Sequence, residues 1–149
     1  MKKFIFTLHA LQHVKELLEK QERNTMLLLT RKLNQLTDER EELQRRRAEA
    51  AEGCSAKMRE GIHANEAVQY ADYLRLMTDL LKEQDTKIAS VLAELDSCRT
   101  RLVELLKEIN MLQKVKEKQY QQYLVDAQTE DEKMIGDFVS YQTTQKPTG

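Results

Sequence analysis

The side chains that could ligate a metal are few and widely separated in this sequence. His9 and His13 are spaced i, i+4, which on a helix directs two imidazole rings to one side, as in many zinc sites. A closed zinc site needs further ligands, and the sequence offers no clear third ligand beside this pair. We therefore expect solvent-exposed histidines near the N-terminus, with no metal and no cofactor.

A nucleophilic catalytic centre is not expected either. Cys54 and His63 lie in one segment, but no residue is placed to orient the histidine as a general base. Cys98 falls within an apolar pattern and is expected to be a small buried side chain. The two cysteines form no CxxC pair and no disulfide framework, which fits a reducing cytosol. Without a GK[ST] tripeptide there is no phosphate-binding loop, and the sequence shows no pocket-forming element. We therefore predict that the protein is not an enzyme.

The charge distribution argues against nucleic acid and membrane insertion. The net charge is −1, and the arginines at positions 45–47 are flanked by glutamates that neutralise them locally. Lys2 and Lys3 precede a short apolar run, but the run lacks a cleavage site and continues into an amphipathic pattern, so we expect no signal peptide. No stretch approaches the roughly twenty apolar residues that span a bilayer. A cytoplasmic location is predicted.

A heptad pattern of apolar residues dominates the second half of the chain. Residues that step by three and four through positions 67–112 are apolar except Gln84, and polar residues fill the gaps. A repeat of about 3.5 residues is typical of a left-handed coiled coil. This predicted seam consists of Ala67, Tyr70, Leu74, Met77, Leu81, Gln84, Ile88, Val91, Leu95, Cys98, Leu102, Leu105, Ile109 and Leu112.

The first half of the chain predicts a second helix with a less regular apolar stripe. We assign helix 1 to about residues 7–52, a tip to 53–65, helix 2 to about 66–142 and a disordered tail to 143–149. A four-residue displacement within the stripe predicts a stutter, and Asn65 is a candidate N-cap. The stripe consists of Phe4, Leu8, Leu11, Val14, Leu18, Leu29, Leu36, Leu43 and Ala50.

These elements predict an all-α fold, an antiparallel two-helix coiled-coil hairpin with a longer C-terminal arm, as one unit over residues 1–142. Folding back at the tip brings Leu43 near Tyr70 and Leu18 near Leu95, and leaves the arm beyond Ile109 without an internal partner. Residues 129–132 fit a capping box for a last helical segment. One face of this segment is then apolar, with Met134, Ile135, Phe138 and Val139. We expect this face to bind in a groove of a partner; the alternative is a terminus that frays.

Three stretches of the chain contain motifs that can be compared with those of known families. The first is Phe4-x-Phe6-x-Leu8-x-x-Leu11, continuing through Val14-Lys15, Glu19 and Glu22. The second is Gly61-Ile62-x-x-Asn65-x-x-x-x-Tyr70-x-x-Tyr73-Leu74. The third contains Glu117-Lys118 and Tyr123, followed by Glu130-x-Glu132-Lys133-x-Ile135-x-Asp137-Phe138. All three stretches resemble the bacterial flagellar export protein FliJ family, the stalk proteins of type III secretion.

The resemblance implies a non-enzymatic stalk at the cytoplasmic face of the inner membrane. FliJ-like proteins insert their paired termini into the ring of the export ATPase FliI and promote its assembly and activity. They also contact the export gate membrane protein FlhA and handle export chaperones. By position, the resemblance maps the gate-contacting side onto Tyr73, Met77, Leu80 and Gln84, whereas Tyr123, Ile135 and Phe138 belong to the arm expected to bind a partner.

Two alternatives remain open at this stage. The same heptads could pair between chains, which would make the protein a structural coiled coil that dimerises or tethers without an ATPase. The chain could also be the equivalent stalk of a virulence-type III secretion system.

Overall fold

The protein folds as two long helices that pack against each other, as seen in a computed structural model that describes residues 2–145. Helix α1 is His9–Glu60 and helix α2 is Ala64–Gln145, and no strand occurs among the described residues. The predicted all-α helical hairpin is confirmed. Residues 143–145, expected to be disordered, belong to α2, while the rest of the predicted disordered tail lies outside the described residues.

The bend between the helices is shorter and lies later in the chain than predicted. It consists of residues 61–63, because α1 continues through Gly53 to Glu60. Gly61 has φ of +97°, a conformation that glycine adopts without a Cβ clash and that ends helices. The backbone N–H of Ala67 donates to the carbonyl of His63, so α2 begins before Asn65, which is not the N-cap.

The chain divides into two compact units, and each helix contributes to both. Unit 2 is Gln21–Leu102; unit 1 contains the described residues up to Lys20 and those from Val103 onward. In unit 2, Leu36, Val91 and Leu95 form a buried apolar cluster. Met26, Leu29, Leu33 and Ile88 pack around this cluster.

The α2 side of the helix interface follows the predicted seam. Every one of its residues is buried or half-buried, including Cys98, which has no exposed surface. The buried amide of Gln84 donates to the backbone carbonyl of Leu36 at 2.9 Å and to Glu39 Oε2 at 3.0 Å. The single polar residue in the heptad pattern therefore has hydrogen-bond partners across the interface, which is why it is tolerated there.

The α1 side of the interface corrects the prediction over its N-terminal part. The apolar stripe predicted for helix 1 begins with four residues that are in fact exposed: Leu8, Leu11, Val14 and Leu18. The buried or half-buried positions are instead Gln12, Lys15, Glu19, Glu22, Met26, Leu29, Leu33 and Leu36, in uninterrupted steps of three and four. The predicted stutter is therefore wrong.

The register of the two helices also differs from the prediction, because the bend lies later in the chain. Cys98 Sγ contacts Glu22 Oε2 at 3.2 Å, and Arg40 pairs with Asp85 at 2.5 Å. The predicted pairing of Leu18 with Leu95 is thus wrong, since Leu95 packs in the cluster that contains Leu36. Because α1 is longer than predicted, each of its residues lies beside a turn of α2 other than the predicted one.

Pairing also extends further along α2 than predicted. Ahead of α1, residues 2–6 have no regular secondary structure, and the hydroxyl of Tyr123 donates to the carbonyl of Lys2. The unpaired arm therefore does not begin near Ile109. It comprises residues 128–145, all of which are exposed. The hydroxyl of Thr129 donates to the carbonyl of Val125 within the continuous helix, so the predicted capping box is not formed.

Candidate partner-binding surfaces

The side chains that could ligate a metal or act as nucleophiles do not form a site among the described residues. Within residues 2–145, no cluster of three or more His, Cys, Asp or Glu side chains could hold a metal ion. Cys54 and Cys98 are free and buried, whereas His9 and His13 are exposed. No helix in the described part of the chain is both long and apolar enough to cross a bilayer. The surfaces that remain are candidates for binding other proteins.

The end of α2 is the most apolar unpaired surface. We call residues 128–145 the C-terminal segment. Ile135 and Phe138, both predicted to bind a partner, have 63% and 60% of their surface exposed. Met134, Val139 and Tyr141 are exposed beside them. Large apolar side chains on one helical face favour packing against another protein, because solvent contact costs free energy that burial would recover.

An aromatic cluster joins the residues ahead of α1 to α2 just before that segment. The ring of Phe4 contacts Tyr120 edge-on, with centroids 5.2 Å apart, and Tyr123 at 5.5 Å. Phe6 is buried, and Thr7 and Gln119 exchange side-chain hydrogen bonds. Tyr123, also predicted to bind a partner, is therefore half-buried by its own chain. Tyr120 was not among the predicted site residues.

A second apolar surface lies on α1 and was missed because its residues were assigned to the interface. We call Leu8, Leu11, Val14 and Leu18 the N-terminal stripe. The neighbouring buried positions are polar: Gln12 Nε2 donates to Gln113 at 3.2 Å, and Lys15 pairs with Glu108 at 2.6 Å. Apolar periodicity alone therefore selected the wrong face. The signal that could have corrected it is the apolar series Met26, Leu29, Leu33 and Leu36, because steps of three and four from it lead back to Lys15 and Gln12.

The four residues mapped to a gate contact divide into two kinds. Met77 and Gln84 are each 5% exposed and pack between the helices. Tyr73 is exposed and Leu80 half-buried, so both present surface to solvent. Tyr73 also lines an open groove of about 540 Å³ with Lys57 and Tyr70. Direct contact with a partner is sterically available to Tyr73 and Leu80 in this conformation.

A polar cluster spans the helix interface of unit 2. Glu22 accepts hydrogen bonds from Arg101 Nε at 2.9 Å and from the Cys98 thiol. The Arg101 guanidinium, followed by the Cys98 thiol, lowers the pKa of the Glu22 carboxyl. Burial, followed by the hydrogen bond to Glu22, raises the pKa of the Cys98 thiol. A protonated, buried thiol is a poor nucleophile, so this cluster holds the helices together rather than performing chemistry.

The arginines at positions 45–47 lie on the exposed face of α1. Arg45 contacts Glu42 at 2.5 Å and Glu49 at 2.6 Å, and Arg46 contacts Glu42 at 3.1 Å. The local neutralisation inferred from the sequence is thus present for Arg45 and Arg46.

A comparison with known protein families gives a match over most of the chain. The family model described as Flagellar FliJ protein matches residues 4–148, nearly the whole chain. No curated protein and no solved structure matches the chain.

Proposed function

Because the chain belongs to the flagellar FliJ family, we propose that it is a stalk that acts through the flagellar export ATPase. The family is a non-catalytic component of flagellar protein export with coiled-coil character, and that general role applies to this chain. The ATPase ring is the proposed partner of the end of the hairpin, where the N-terminal residues and the C-terminal segment lie. Binding there promotes ring assembly and ATP turnover.

The observation that carries this proposal is the exposed apolar face of the C-terminal segment. Phe138, Ile135 and Met134 lie on a helix that extends beyond the last residues paired with the N-terminus. A helix with no internal partner and a large apolar face supports docking into a groove of another protein. The family match suggests which protein offers that groove.

Contacts with the export gate and with export chaperones complete the proposal. Tyr73 and Leu80 are the residues we propose for the gate contact, since they have solvent-accessible surface while Met77 and Gln84 stabilise the hairpin. Through such partners the protein would act at the cytoplasmic face of the inner membrane. The alternative stalk role in virulence-type secretion uses the same surfaces with a different ATPase.

The test is ATP turnover by the flagellar export ATPase with and without the purified chain. We expect the wild-type protein to raise the rate and to promote ring assembly. Phe138→Ala should leave the hairpin folded, because the side chain is 60% exposed, yet weaken the stimulation. The matched control is Leu92→Ala, an exposed apolar residue of unit 2, which should stimulate as the wild type does.

Two results would contradict the proposal. An unchanged ATPase rate and unchanged ring assembly with wild-type protein would remove the link to the ATPase. A large fall in the melting temperature of Phe138→Ala, measured at a concentration at which the wild-type chain is monomeric, would show that the C-terminal segment packs on its own hairpin, so that its apolar face is not free for a partner.

A further inference from the structure

Two exposed apolar surfaces lie in the described part of unit 1, the C-terminal segment and the N-terminal stripe. The residues beside one surface are mainly acidic, and those beside the other are mainly basic. The N-terminal stripe is continued on α2: the contacts Gln12–Gln113 and Lys15–Glu108 set a register that places Val115 across from Leu11 and Met111 across from Val14. Val115 and Met111 are exposed too. The two helices therefore form the sides of a shallow apolar groove.

The charges around these surfaces are complementary. The C-terminal segment contains Glu130, Asp131, Glu132 and Asp137 against one lysine, Lys133. Residues 2–20 contain four lysines and two glutamates. Two C-terminal segments would repel each other, whereas a segment laid along the N-terminal stripe brings unlike charges together.

We propose that the occupant of this groove is the C-terminal segment of a second copy of the chain. The contact is reciprocal: each copy places its segment on the other's N-terminal stripe, and a single two-fold axis relates both contacts. Ile135 of one copy packs beside Val14 and Met111 of the other, and Phe138 packs one turn further on, towards Leu18. The second copy and the export ATPase would cover the same face of the C-terminal segment, so a chain in the dimer must release its partner copy before this face can bind the ring.

The lengths of the two surfaces agree with a two-fold axis near Tyr123. Lys2 is hydrogen-bonded to Tyr123, so residues 128–145 begin just beyond the paired end and extend for about 27 Å at 1.5 Å per residue. The N-terminal stripe lies on the other side of Tyr123, since Thr7 bonds Gln119 and Gln12 bonds Gln113. A rotation of 180° about an axis at Tyr123 therefore places the C-terminal segment of one copy along the N-terminal stripe of the other. The arrangement is closed and cannot extend into a filament.

Cysteine cross-linking between two differently tagged copies tests the contact directly. One copy carries Val14→Cys and the other Ile135→Cys, both at exposed positions, so folding should be retained. The native Cys54 and Cys98 are buried, and the wild-type chain serves as the reagent control. We expect a covalent dimer from the mixture and little from either variant alone. Equal cross-linking of Ile135→Cys with itself would overturn the proposal in favour of paired C-terminal segments.

Light scattering over a series of protein concentrations is a second test of the dimer. The wild-type mass should rise from 17.5 kDa towards twice that value, and high salt should oppose the rise. Replacing Glu130, Asp131 and Glu132 with lysine should weaken dimerisation on the order of tenfold or more. The same replacement at the exposed acids Asp72, Asp79 and Glu83 of unit 2 is the matched control and should have no such effect. A monomeric mass at every concentration would refute the second copy and leave the proposed ATPase role untouched.

Discussion

At the scale of single residues, the helix interface depends on polar side chains that find partners across it. Gln12, Glu22 and Gln84 occupy positions where a coiled coil normally places aliphatic residues, and each forms a hydrogen bond with the opposite helix. An unsatisfied buried polar group would cost free energy, so these pairs restrict the register in which the helices can meet. Register is therefore chosen by polar pairing as much as by apolar burial.

Glu22 should make folding stability depend on pH. Its pKa is lowered from an ordinary value of 4.5, so the ionised form stabilises the folded state. That contribution is fully present above the ordinary value and is lost as pH falls through the lowered pKa. We expect Glu22→Gln to be less stable than wild type at neutral pH and to lose less stability on acidification. Circular dichroism melting from about pH 7 to about pH 3 measures both slopes.

The matched control for this measurement is Glu94→Gln, at an exposed position on α2 of the same unit. The melting temperature of Glu94→Gln should change with pH as that of the wild type does. If the melting temperature of Glu22→Gln changed with pH in the same way, the pairing with Arg101 would contribute nothing to folding.

Replacing Gly53 or Gly61 with alanine should change the free energy of unfolding in opposite directions. Gly53 lies inside α1, where an added Cβ would meet the Tyr70 hydroxyl at 3.7 Å, an ordinary contact. Gly53→Ala should therefore raise the free energy of unfolding by about 0.5–1 kcal/mol through helix propensity. Gly61→Ala should lower it by about 1–2 kcal/mol, because φ of +97° strains any residue with a Cβ. Urea denaturation compares the two variants, and equal signs would contradict the assigned bend.

At the scale of the helices, α2 has a paired region and an unpaired end. In the paired region one face is buried against α1, whereas residues 128–145 have no covered face. Helix propensity and the continuity of the chain keep the end helical in isolation, but tertiary packing adds nothing to it. The end is therefore the part of α2 best suited to exchange partners.

Leu95→Asp should unfold unit 2, and Leu92→Asp should not. Leu95 is 8% exposed in the cluster with Leu36 and Val91, so a carboxylate there would be buried without a partner, at a cost of several kcal/mol. Leu92 lies one turn away on the same helix and is 50% exposed. Helical content by circular dichroism and the melting temperature distinguish the two. A stable Leu95→Asp variant would mean that the apolar cluster does not hold the helices together.

At the scale of the whole molecule, the two units are stabilised by different means. Unit 2 has an apolar cluster of aliphatic side chains together with polar pairs such as Arg40–Asp85. Unit 1 uses Gln12–Gln113 and Lys15–Glu108 at comparable interface positions, with aromatic contacts of Phe4 at its end. Since polar pairs near the surface contribute less than buried aliphatic groups, the two units should differ in local stability.

Amide hydrogen exchange should reveal that difference. We expect the slowest exchange around Leu36 and Val91, faster exchange in α1 near Gln12, and the fastest in residues 128–145. Mass spectrometry of peptic fragments resolves the three regions. Uniform protection along both helices would show instead that the hairpin opens as one cooperative unit.

The sequence by itself determined the helical class, the α2 side of the interface and the apolar end of α2. Heptad spacing predicts those features because a helical face with continuous apolar residues must be covered, whichever helix covers it. The resemblance to the FliJ family rested on residues spread along the chain, and the family match confirms it.

Only the tertiary structure decided the register and the face of α1 that is buried near the N-terminus. Leu11 and Leu18 have the periodicity of interface residues, yet Gln12 and Lys15 occupy the interface because the face buried at Leu29 and Leu36 continues to them without a stutter. The register differs for another reason, which is that α1 continues to Glu60 and displaces every pairing. Local periodicity cannot specify register, since sliding one helix along another keeps each pattern intact while changing every contact. Where the chain bends decides which apolar residues are left over, and those residues form the surfaces that other proteins can bind.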